Sequence, residues 1–432
     1  MSGFFVVGEK KERPGVYKRY ENAGGVEAAG ARSGVGCALV TGNWGALNTP
    51  VTIDQSTDIS SVIGAGSGYD AITAFMAGGM EECVVVRVGT GGTPATITLK
   101  DTTASAAVDA VVLTALYPGN RAFTITVKTS LDDETAKEAT IYEGTKALEK
   151  VTFAAGKTEV DGIVAAFANS KYVKATKKAP GNGTLADITQ KAFTAGTNPT
   201  VNTAAYGEAA NASEAEVRDM IIVDTNDAAV HTLIATHVAR VFQEGAYTMA
   251  TVAEPSSVAI ETRMQHAAAF NDEKIHYVLN PYIGTDGVEY EGYMLAARIG
   301  GLICAGAANA SLTHTVISGA AGLKETLNSG TIKKALKSGC LVLSTSKSKQ
   351  VWIEMAINTL VTLSKDQDAG WKKIRRVKER FELMDRVEQT TEVLIGQVDN
   401  DPDGRAAVIA AAQRVVDAMV GEKKLLSGTV IE

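Results

Sequence analysis

Five alternating segments in the middle of the chain limit its fold more than any other feature of the sequence. Three of them, residues 220–223, 247–252 and 275–279, are apolar runs of strand length. The two between them, residues 227–244 and 258–270, carry apolar side chains at helical spacing. Strands that alternate with helices pair in parallel, because each helix returns the chain to the same end of the sheet. The pattern therefore predicts a doubly wound α/β sheet.

The first half of the chain adds a second parallel layer and a region of different texture. Residues 34–40, 50–53 and 83–88 are predicted strands around a small amphipathic helix at residues 69–78. Beyond them the chain becomes rich in threonine and alternates between apolar and polar side chains. This change indicates a mostly-β domain inserted into the α/β part, with strands at residues 95–99, 111–116, 123–127 and 139–142.

The last third is predicted to contain three helices and a strand pair. A helix ends near Lys337, and residues 340–344 and 350–358 form two strands joined by a basic turn. A final helix covers residues 404–419. The helix between them, which begins after Trp371, has apolar side chains at three- and four-residue steps: Ile374, Val377, Phe381, Met384 and Val387.

Charge is unevenly distributed along the 432 residues. The net charge of −7 excludes a generally basic protein that coats nucleic acid. Residues 331–380 nevertheless contain twelve Lys or Arg against four Asp or Glu. Such a segment is either a surface that meets an acidic partner or the solvated face of a helix.

The four cysteines and the apolar segments indicate a soluble protein made in the cytoplasm. None of the cysteines forms a CxxC pair, so buried thiols in a reducing compartment are expected rather than disulfides or a zinc site. The first residues lack the basic start and apolar run of a signal peptide. The longest apolar segment, residues 293–310, contains Arg298 and several glycines, which is typical of a core helix.

No motif predicts catalysis, a cofactor or a metal. The glycine-rich residues 64–68 lack the third glycine of a dinucleotide loop, so a flexible turn is expected there. His231 and His237 lie six residues apart on one helix and do not share a face. Asp224 follows a strand, where α/β enzymes place catalytic groups, but capping the next helix is its expected role. The chain is therefore predicted not to be an enzyme.

Both ends of the chain have the pattern of a strand. Residues 13–20 and 425–432 alternate apolar or aromatic side chains with polar ones. Residues 13–22, if extended, span about 30 Å, enough to reach a neighbouring subunit. A strand at a chain end needs an edge to pair with, and an edge on another copy makes the chain a polymer subunit. The residues predicted to form these arms are Pro14, Gly15, Val16, Tyr17, Gly428, Thr429, Val430 and Ile431.

Four sets of short motifs stand out by their order and spacing along the chain. They are Pro14-Gly15-Val16-Tyr17, Asn43-Trp44-Gly45 before Asn48-Thr49-Pro50-Val51, Tyr117-Pro118-Gly119-Asn120 and Gly339-Cys340-Leu341-Val342-Leu343. In these motifs the chain resembles contractile tail sheath proteins of myophages, prophages and R-type bacteriocins, whereas residues 121–206 depart from the family pattern.

The resemblance implies a sheath core built from the N- and C-terminal parts, with inserted domains pointing outward. The parts expected are an N-terminal arm (1–22), two core parts (23–90 and 336–422), an inserted mostly-β domain (91–206), an α/β middle domain (207–335) and a C-terminal arm (423–432). The arms of one subunit are expected to complete the sheets of its neighbours and to connect hexameric rings into a helical tube.

The resemblance also implies partners and a location. The partners are other copies of the chain, the inner tail tube protein, and baseplate and tail terminator proteins, with neither nucleic acid nor membrane insertion. Assembly is expected in the bacterial cytoplasm, and the product is a virion or a phage-tail-like particle. A further hypothesis places a basic patch against the tail tube: Lys372, Lys373, Arg375, Arg376 and Arg380.

Two alternatives to a structural subunit stay open from the residues alone. One is a cytoplasmic α/β enzyme whose site lies near Asp224, at the strand ends of the middle domain. The other is a nucleic-acid-binding protein that uses the basic C-terminal region. The acidic remainder of the chain and the lack of aromatics between the basic residues weaken this second alternative.

Overall fold

The computed structural model describes residues 34–103, 107–178 and 183–431, and the backbone of residues 2–4 and 16–18. The chain forms two compact units. One consists of Ser33–Val377, and the other combines Met1–Arg32 with Lys378–Glu432. Each unit is described by itself below.

The secondary structure is mixed throughout the described residues. In chain order the strands are β1 (Ser2–Phe4), β2 (Val16–Lys18), β3 (Val35–Val40), β4 (Pro50–Asp54), β5 (Glu82–Arg87), β6 (Thr96–Asp101), β7 (Val108–Ala115), β8 (Phe123–Thr129), β9 (Ala136–Glu143), β10 (Lys146–Ala154), β11 (Val173–Lys177), β12 (Ile188–Ala192), β13 (Met220–Val223), β14 (Met249–Ala253), β15 (Ile275–Val278), β16 (Tyr282–Gly284), β17 (Glu289–Tyr290), β18 (Ala320–Leu323), β19 (Cys340–Leu341), β20 (Leu343–Thr345) and β21 (Val351–Ile353). The helices are α1 (Ile59–Ile63), α2 (Ser67–Met76), α3 (Glu159–Ala166), α4 (Thr203–Ala212), α5 (Ala228–Gln243), α6 (Ile260–Phe270), α7 (Tyr293–Ala305), α8 (Ser329–Lys337), α9 (Ile374–Glu392) and α10 (Pro402–Gly421).

A seven-stranded sheet organises the larger unit. Its strand order is β19-β15-β14-β13-β3-β5-β4, and every pair is parallel except β4 with β5. The predicted alternation of strands and helices between β13 and β15 is confirmed, and so is the α/β multidomain fold class. The sheet takes strands from three parts of the sequence: the predicted segments 23–90, 207–335 and 336–422.

Side chains of the sheet alternate between two helical layers, as the period of two in a strand requires. Ile221 and its neighbours on that face pack in one core with side chains of α4 and α5. Ile222 faces the other way, where Gly300 of α7 approaches it. Helices α2 and α7 pack closely, because Gly78 and Gly301 leave room for their backbones to meet. A sheet covered on both faces explains the continuous apolar runs of its parallel strands.

A β-sandwich forms the part of this unit between β6 and β12. Its two antiparallel sheets have the orders β10-β9-β8-β12 and β11-β7-β6, and α3 packs beside them. The four strands predicted here are confirmed. Strands β10, β11 and β12 and helix α4 were not predicted: the strands carry many charged or exposed residues, and α4 is short and rich in alanine.

Two predicted strands in the last third are wrong in extent. The prediction for residues 340–344 joined two short strands, since β19 extends the parallel sheet while β20 pairs with β21. The predicted strand at residues 350–358 ends at Ile353. The chain then leaves the hairpin, because Thr359 donates its backbone N–H to Ile275 and Asn358 donates its side chain to the Trp371 carbonyl.

The smaller unit pairs two short strands and contains α10 with most of α9. Strands β1 and β2 are parallel, with Gly3 opposite Tyr17. Phe381 on α9 is buried, as its spacing predicted, but Met384 is 38% exposed and does not belong to the buried face. The buried apolar face of α9 is therefore interrupted one turn after Phe381.

Candidate functional site

The structure forms a strand at the first predicted arm. Val16 and Tyr17 lie in β2, whose partner β1 comes from the same chain, with Ser2 opposite Val16. Pro14 and Gly15 lie outside the described residues. The position of this strand agrees with the sequence pattern, while its function as an arm between subunits stays a prediction.

The second predicted arm lies on α10 of its own chain and is not a strand. Residues 425–431 belong to neither a helix nor a strand. The Val430 N–H donates to Oε1 of Gln413 at 2.8 Å, and Nε2 of Gln413 donates to the Gly428 carbonyl at 3.2 Å. Thr429 between them is exposed. Ile431 is 83% exposed, so the tail leaves its last described apolar side chain in solvent.

Four charged side chains tie α9 to the end of α10 just before this tail. Arg386, which is buried, donates to both carboxylate oxygens of Glu422 at 3.0 and 2.8 Å. It also donates to Glu382, and Lys424 pairs with both glutamates. Hydrogen bonds from Arg386 lower the pKa of Glu422 to about 2, with Lys424 adding to the effect. This network fixes the point from which the tail leaves α10.

The five residues of the predicted basic patch are distributed over both units. In the larger unit, Lys372 is half-buried and donates Nζ to the Val361 carbonyl at 2.7 Å. Arg376 is exposed and pairs with Asp368 at 3.2 Å. The remaining members are Lys373, which is half-buried, Arg375, which is exposed, and Arg380, which belongs to the smaller unit and lies over the Phe381 ring. Whether this patch faces a tail tube stays a prediction.

Asp224 has a role different from the predicted one. The helix after it, α5, is capped by Asp227, so the expected capping role is wrong. The Oδ2 atom of Asp224 accepts from the Thr41 N–H, the Thr41 hydroxyl and the Ser67 hydroxyl at 2.6 to 2.9 Å. Its Oδ1 atom accepts from the Tyr206 hydroxyl at 2.7 Å, and burial together with this carboxylate raises the pKa of Tyr206. The carboxylate therefore joins the ends of β3 and β13 to α2 and α4.

The junction between the sheet and the sandwich is a site that the sequence patterns did not single out. Trp44, which follows β3, is 2% exposed and packs within the apolar core of the sandwich. The buried Arg121 guanidinium lies 5.2 Å from its ring and forms two hydrogen bonds with Glu143. Trp44 and Arg121 thus lie where the sheet meets the sandwich. The signal in the sequence was the motif around Trp44, which is predicted as a turn without a packing role for the tryptophan.

Arg87 stabilises the same junction through hydrogen bonds to backbone carbonyls. This side chain, which is 2% exposed, donates twice to the Gly42 carbonyl and once each to those of Gly45 and Pro118. Gly119 has a φ of +153°, and a Cβ atom there would lie 2.0 Å from the Asn43 carbonyl oxygen. Two of the motifs behind the family resemblance, residues 43–45 and 117–120, thus meet at one arginine.

The described part of the chain contains neither a metal site nor a membrane-spanning helix. Across its three long ranges, no group of three or more His, Cys, Asp or Glu could hold a metal ion. Among the helices of that same part, none combines the length and the apolar character needed to cross a membrane. All four cysteines are buried free thiols.

Comparisons with known proteins connect this architecture to one family. The model of the phage tail sheath protein central domain matches residues 199–359, and that of the phage tail sheath protein beta-sandwich domain matches residues 90–198. No curated protein sequence is significantly similar to the chain.

Solved structures share the fold at low sequence identity. The crystal structure of a sheath tail protein from Desulfitobacterium hafniense superimposes with a TM-score of 0.74 at 18% identity, over 94% of this chain and 89% of that one. A sheath tail protein from Listeria innocua gives 0.71 at 20% identity, over 92% and 86%. The PVC sheath complex of an extracellular contractile injection system, in its contracted state, gives 0.53 at 10% identity, over 98% and 86%. Because the two family models together match residues 90–359, well over half of the sequence, this chain belongs to the phage tail sheath protein family.

Proposed function

We propose that this chain is the repeating subunit of a contractile phage-type tail sheath and polymerises by strand addition between subunits. The resulting helical tube of stacked hexameric rings surrounds an inner tail tube. Its contraction drives that tube through the envelope of a target cell. The role is structural and does not involve catalysis.

The state of the two chain ends is the observation that supports strand addition best. Within the described backbone, β2 pairs with β1 over three residues, and residues 428–430 are hydrogen-bonded to the single side chain of Gln413. Each added backbone hydrogen bond contributes about 1 kcal/mol net, so a longer edge on a neighbour would stabilise either end further. Burial of exposed apolar side chains such as Ile431 would add to this.

The buried junction between sheet and sandwich supports movement of the larger unit as one body. Trp44 packs in the core of the sandwich, and Arg87 of the sheet bonds both the loop after β3 and the Pro118 carbonyl beside the sandwich. Contacts of this kind resist a hinge at that point. In a contracting sheath, the arms would then be the segments that keep rigid subunits connected.

The remaining partners and the location follow from the same proposal. The inner tail tube protein, a baseplate protein and a tail terminator protein would contact the sheath along its length and at its two ends. The subunit would assemble in the bacterial cytoplasm and end in a virion or a phage-tail-like particle. Neither nucleic acid nor membrane insertion is part of this function.

Asp224, the candidate residue of the enzyme alternative, is not placed to act in catalysis. Both carboxylate oxygens of Asp224 accept hydrogen bonds from protein donors, and the side chain is buried. A base or nucleophile in use needs an oxygen within reach of substrate. The structural function is therefore the one proposed.

Deletion of each chain end tests strand addition. Variants lacking residues 1–20 or 425–432 should fold and remain monomeric, whereas the full chain at high concentration should form rings or striated tubes in negative-stain electron microscopy. Circular dichroism of each variant provides the control for folding. Tubes of normal length from either variant would contradict the proposal.

Charge reversal tests the predicted contact with the tail tube. Changing Lys372, Lys373, Arg375, Arg376 and Arg380 to Glu should prevent assembly on tubes while the sheath still forms alone. A matched variant reverses five exposed lysines from the same basic segment: Lys333, Lys334, Lys337, Lys347 and Lys349. It should assemble on tubes as the unmodified chain does. Equal assembly by both variants would exclude the basic patch as the tube-binding surface.

A further inference from the structure

The contact between Gln413 and the C-terminal tail imitates one step of a β-ladder. In a parallel strand pair, one residue accepts from the N–H that follows its partner residue and donates to the C=O that precedes it. The Gln413 side-chain amide does both around Thr429, since it accepts from the Val430 N–H and donates to the Gly428 carbonyl. The surface of α10 therefore binds extended backbone at one residue.

Neighbouring residues on α10 shape this contact. Asp417 accepts from Nε2 of Gln413 at 2.8 Å, which directs the amide nitrogen toward the carboxylate and the oxygen toward Val430. Gly428 lies so close to α10 that a Cβ atom there would stand 2.7 Å from Cγ1 of Val416. Glycine is thus the residue that fits at this point of the tail without a shift of Val416.

The same contact leaves two apolar side chains of the tail exposed to solvent. Leu426 is 99% exposed and Ile431 is 83% exposed. Two hydrogen bonds with one side chain hold residues 428–430, whereas an added strand would form several and would bury apolar area as well. The tail is therefore held, but by less than a neighbouring strand could offer.

We propose that Gln413 acts as a latch that holds residues 428–430 on their own helix and keeps the tail from adding to a neighbouring subunit. This inference rests on the proposed function, because it assumes that the tail takes part in polymerisation. Only subunits whose tail is released can add it to a neighbour. The latch therefore lowers the apparent affinity between subunits, which is proportional to the fraction of subunits whose tail is released. Its partner in the open state is an unpaired strand edge of a second copy.

The substitution Gln413→Ala in the full chain tests the latch through the concentration needed for assembly. The critical concentration measured by sedimentation should fall about tenfold, because two net hydrogen bonds no longer favour the closed form. The control is Gln389→Ala, which removes a glutamine that also bonds an aspartate one helical turn away, Asp385 on α9. This control should leave the critical concentration unchanged.

Hydrogen exchange of the unassembled protein measures the latch directly. The Val430 amide should exchange slowly in the unmodified chain, and at least several times faster in Gln413→Ala. Gly428→Ala should accelerate the same amide, since the added methyl group meets Val416. Rapid exchange of Val430 in the unmodified chain, or equal exchange in all three proteins, would overturn the latch.

The assembly results separate failure of the latch from failure of the proposed function. A critical concentration that is unchanged or higher in Gln413→Ala would overturn the latch, while strand addition by the tail would stand if removal of residues 425–432 still abolished assembly. Normal assembly after that deletion would instead contradict the role of the tail, and the latch with it.

Discussion

The rings of Trp44 and Tyr117 meet edge to face, with their centroids 5.0 Å apart. Trp44 follows a strand of the seven-stranded sheet, and Tyr117 follows a strand of the sandwich. Phe123 and Tyr172 of the sandwich contact the same indole. The two cores are therefore joined by a shared aromatic cluster, so the sandwich is fixed to the sheet from which it extends.

Replacing Trp44 by Ala should destabilise this junction strongly. Loss of a fully buried tryptophan costs about 3–5 kcal/mol, and the buried Arg121 guanidinium also loses one of its aromatic neighbours. Calorimetry should show a lower unfolding temperature and a separate transition for the sandwich. The control is Trp371→Ala, which removes a half-buried tryptophan and should lower the temperature less. Equal losses in the two variants would contradict a special role for Trp44.

Asp224→Asn should show whether this carboxylate is structural. The amide has one acceptor oxygen in place of two and brings a donor toward hydroxyl and N–H groups, so about 3 kcal/mol of stability should be lost. Tyr206→Phe, which removes a single hydrogen bond from the same carboxylate, should cost about 1 kcal/mol. Urea unfolding of both variants measures the difference. An unchanged stability for Asp224→Asn would contradict a structural role and make Asp224 a candidate catalytic residue again.

Glu422 should make the smaller unit sensitive to acid. Its pKa is lowered from 4.5 to about 2, so the ionised form is favoured by folding. The stabilisation is complete above pH 4.5 and is lost as the pH falls toward 2. Glu422→Gln should therefore unfold at a lower temperature than the unmodified chain at pH 7, and this difference should shrink between pH 5 and pH 2.

An exposed glutamate on α9 offers the control for this pH dependence. Glu388→Gln removes an exposed carboxylate from the same unit and should lower the unfolding temperature at pH 7 less than Glu422→Gln does. Thermal unfolding followed by circular dichroism at several pH values measures both variants. A constant difference for Glu422→Gln over this range would contradict the role assigned to the Arg386–Glu422 pair.

The parallel sheet could be predicted from the sequence because its strands are buried on both faces. Runs such as Met220–Val223 and Ile275–Val278 consist of apolar residues, and the helices between them have one apolar face. Strand β12 gave no such signal, since most of its side chains are exposed at a sheet edge. Local sequence patterns reveal a strand when its side chains are buried, and few side chains of an edge strand are.

The candidate site was harder to predict because its contacts join distant parts of the chain. The pattern of residues 425–432 indicates a strand, yet it contains nothing about Gln413, whose amide takes the place of a strand partner. Asp224 likewise follows a strand, as predicted, but its partners Thr41 and Ser67 lie more than 150 residues away. Spacing within one segment cannot identify partners of this kind.

Cryo-electron microscopy of the polymer formed by the full chain tests strand addition most directly. The proposed function predicts that residues 16–18, residues 428–431 or both are hydrogen-bonded to a strand of a neighbouring subunit, with Gln413 released from the tail. A polymer in which β2 still pairs only with β1 of its own chain, and Val430 still donates to its own Gln413, would contradict it.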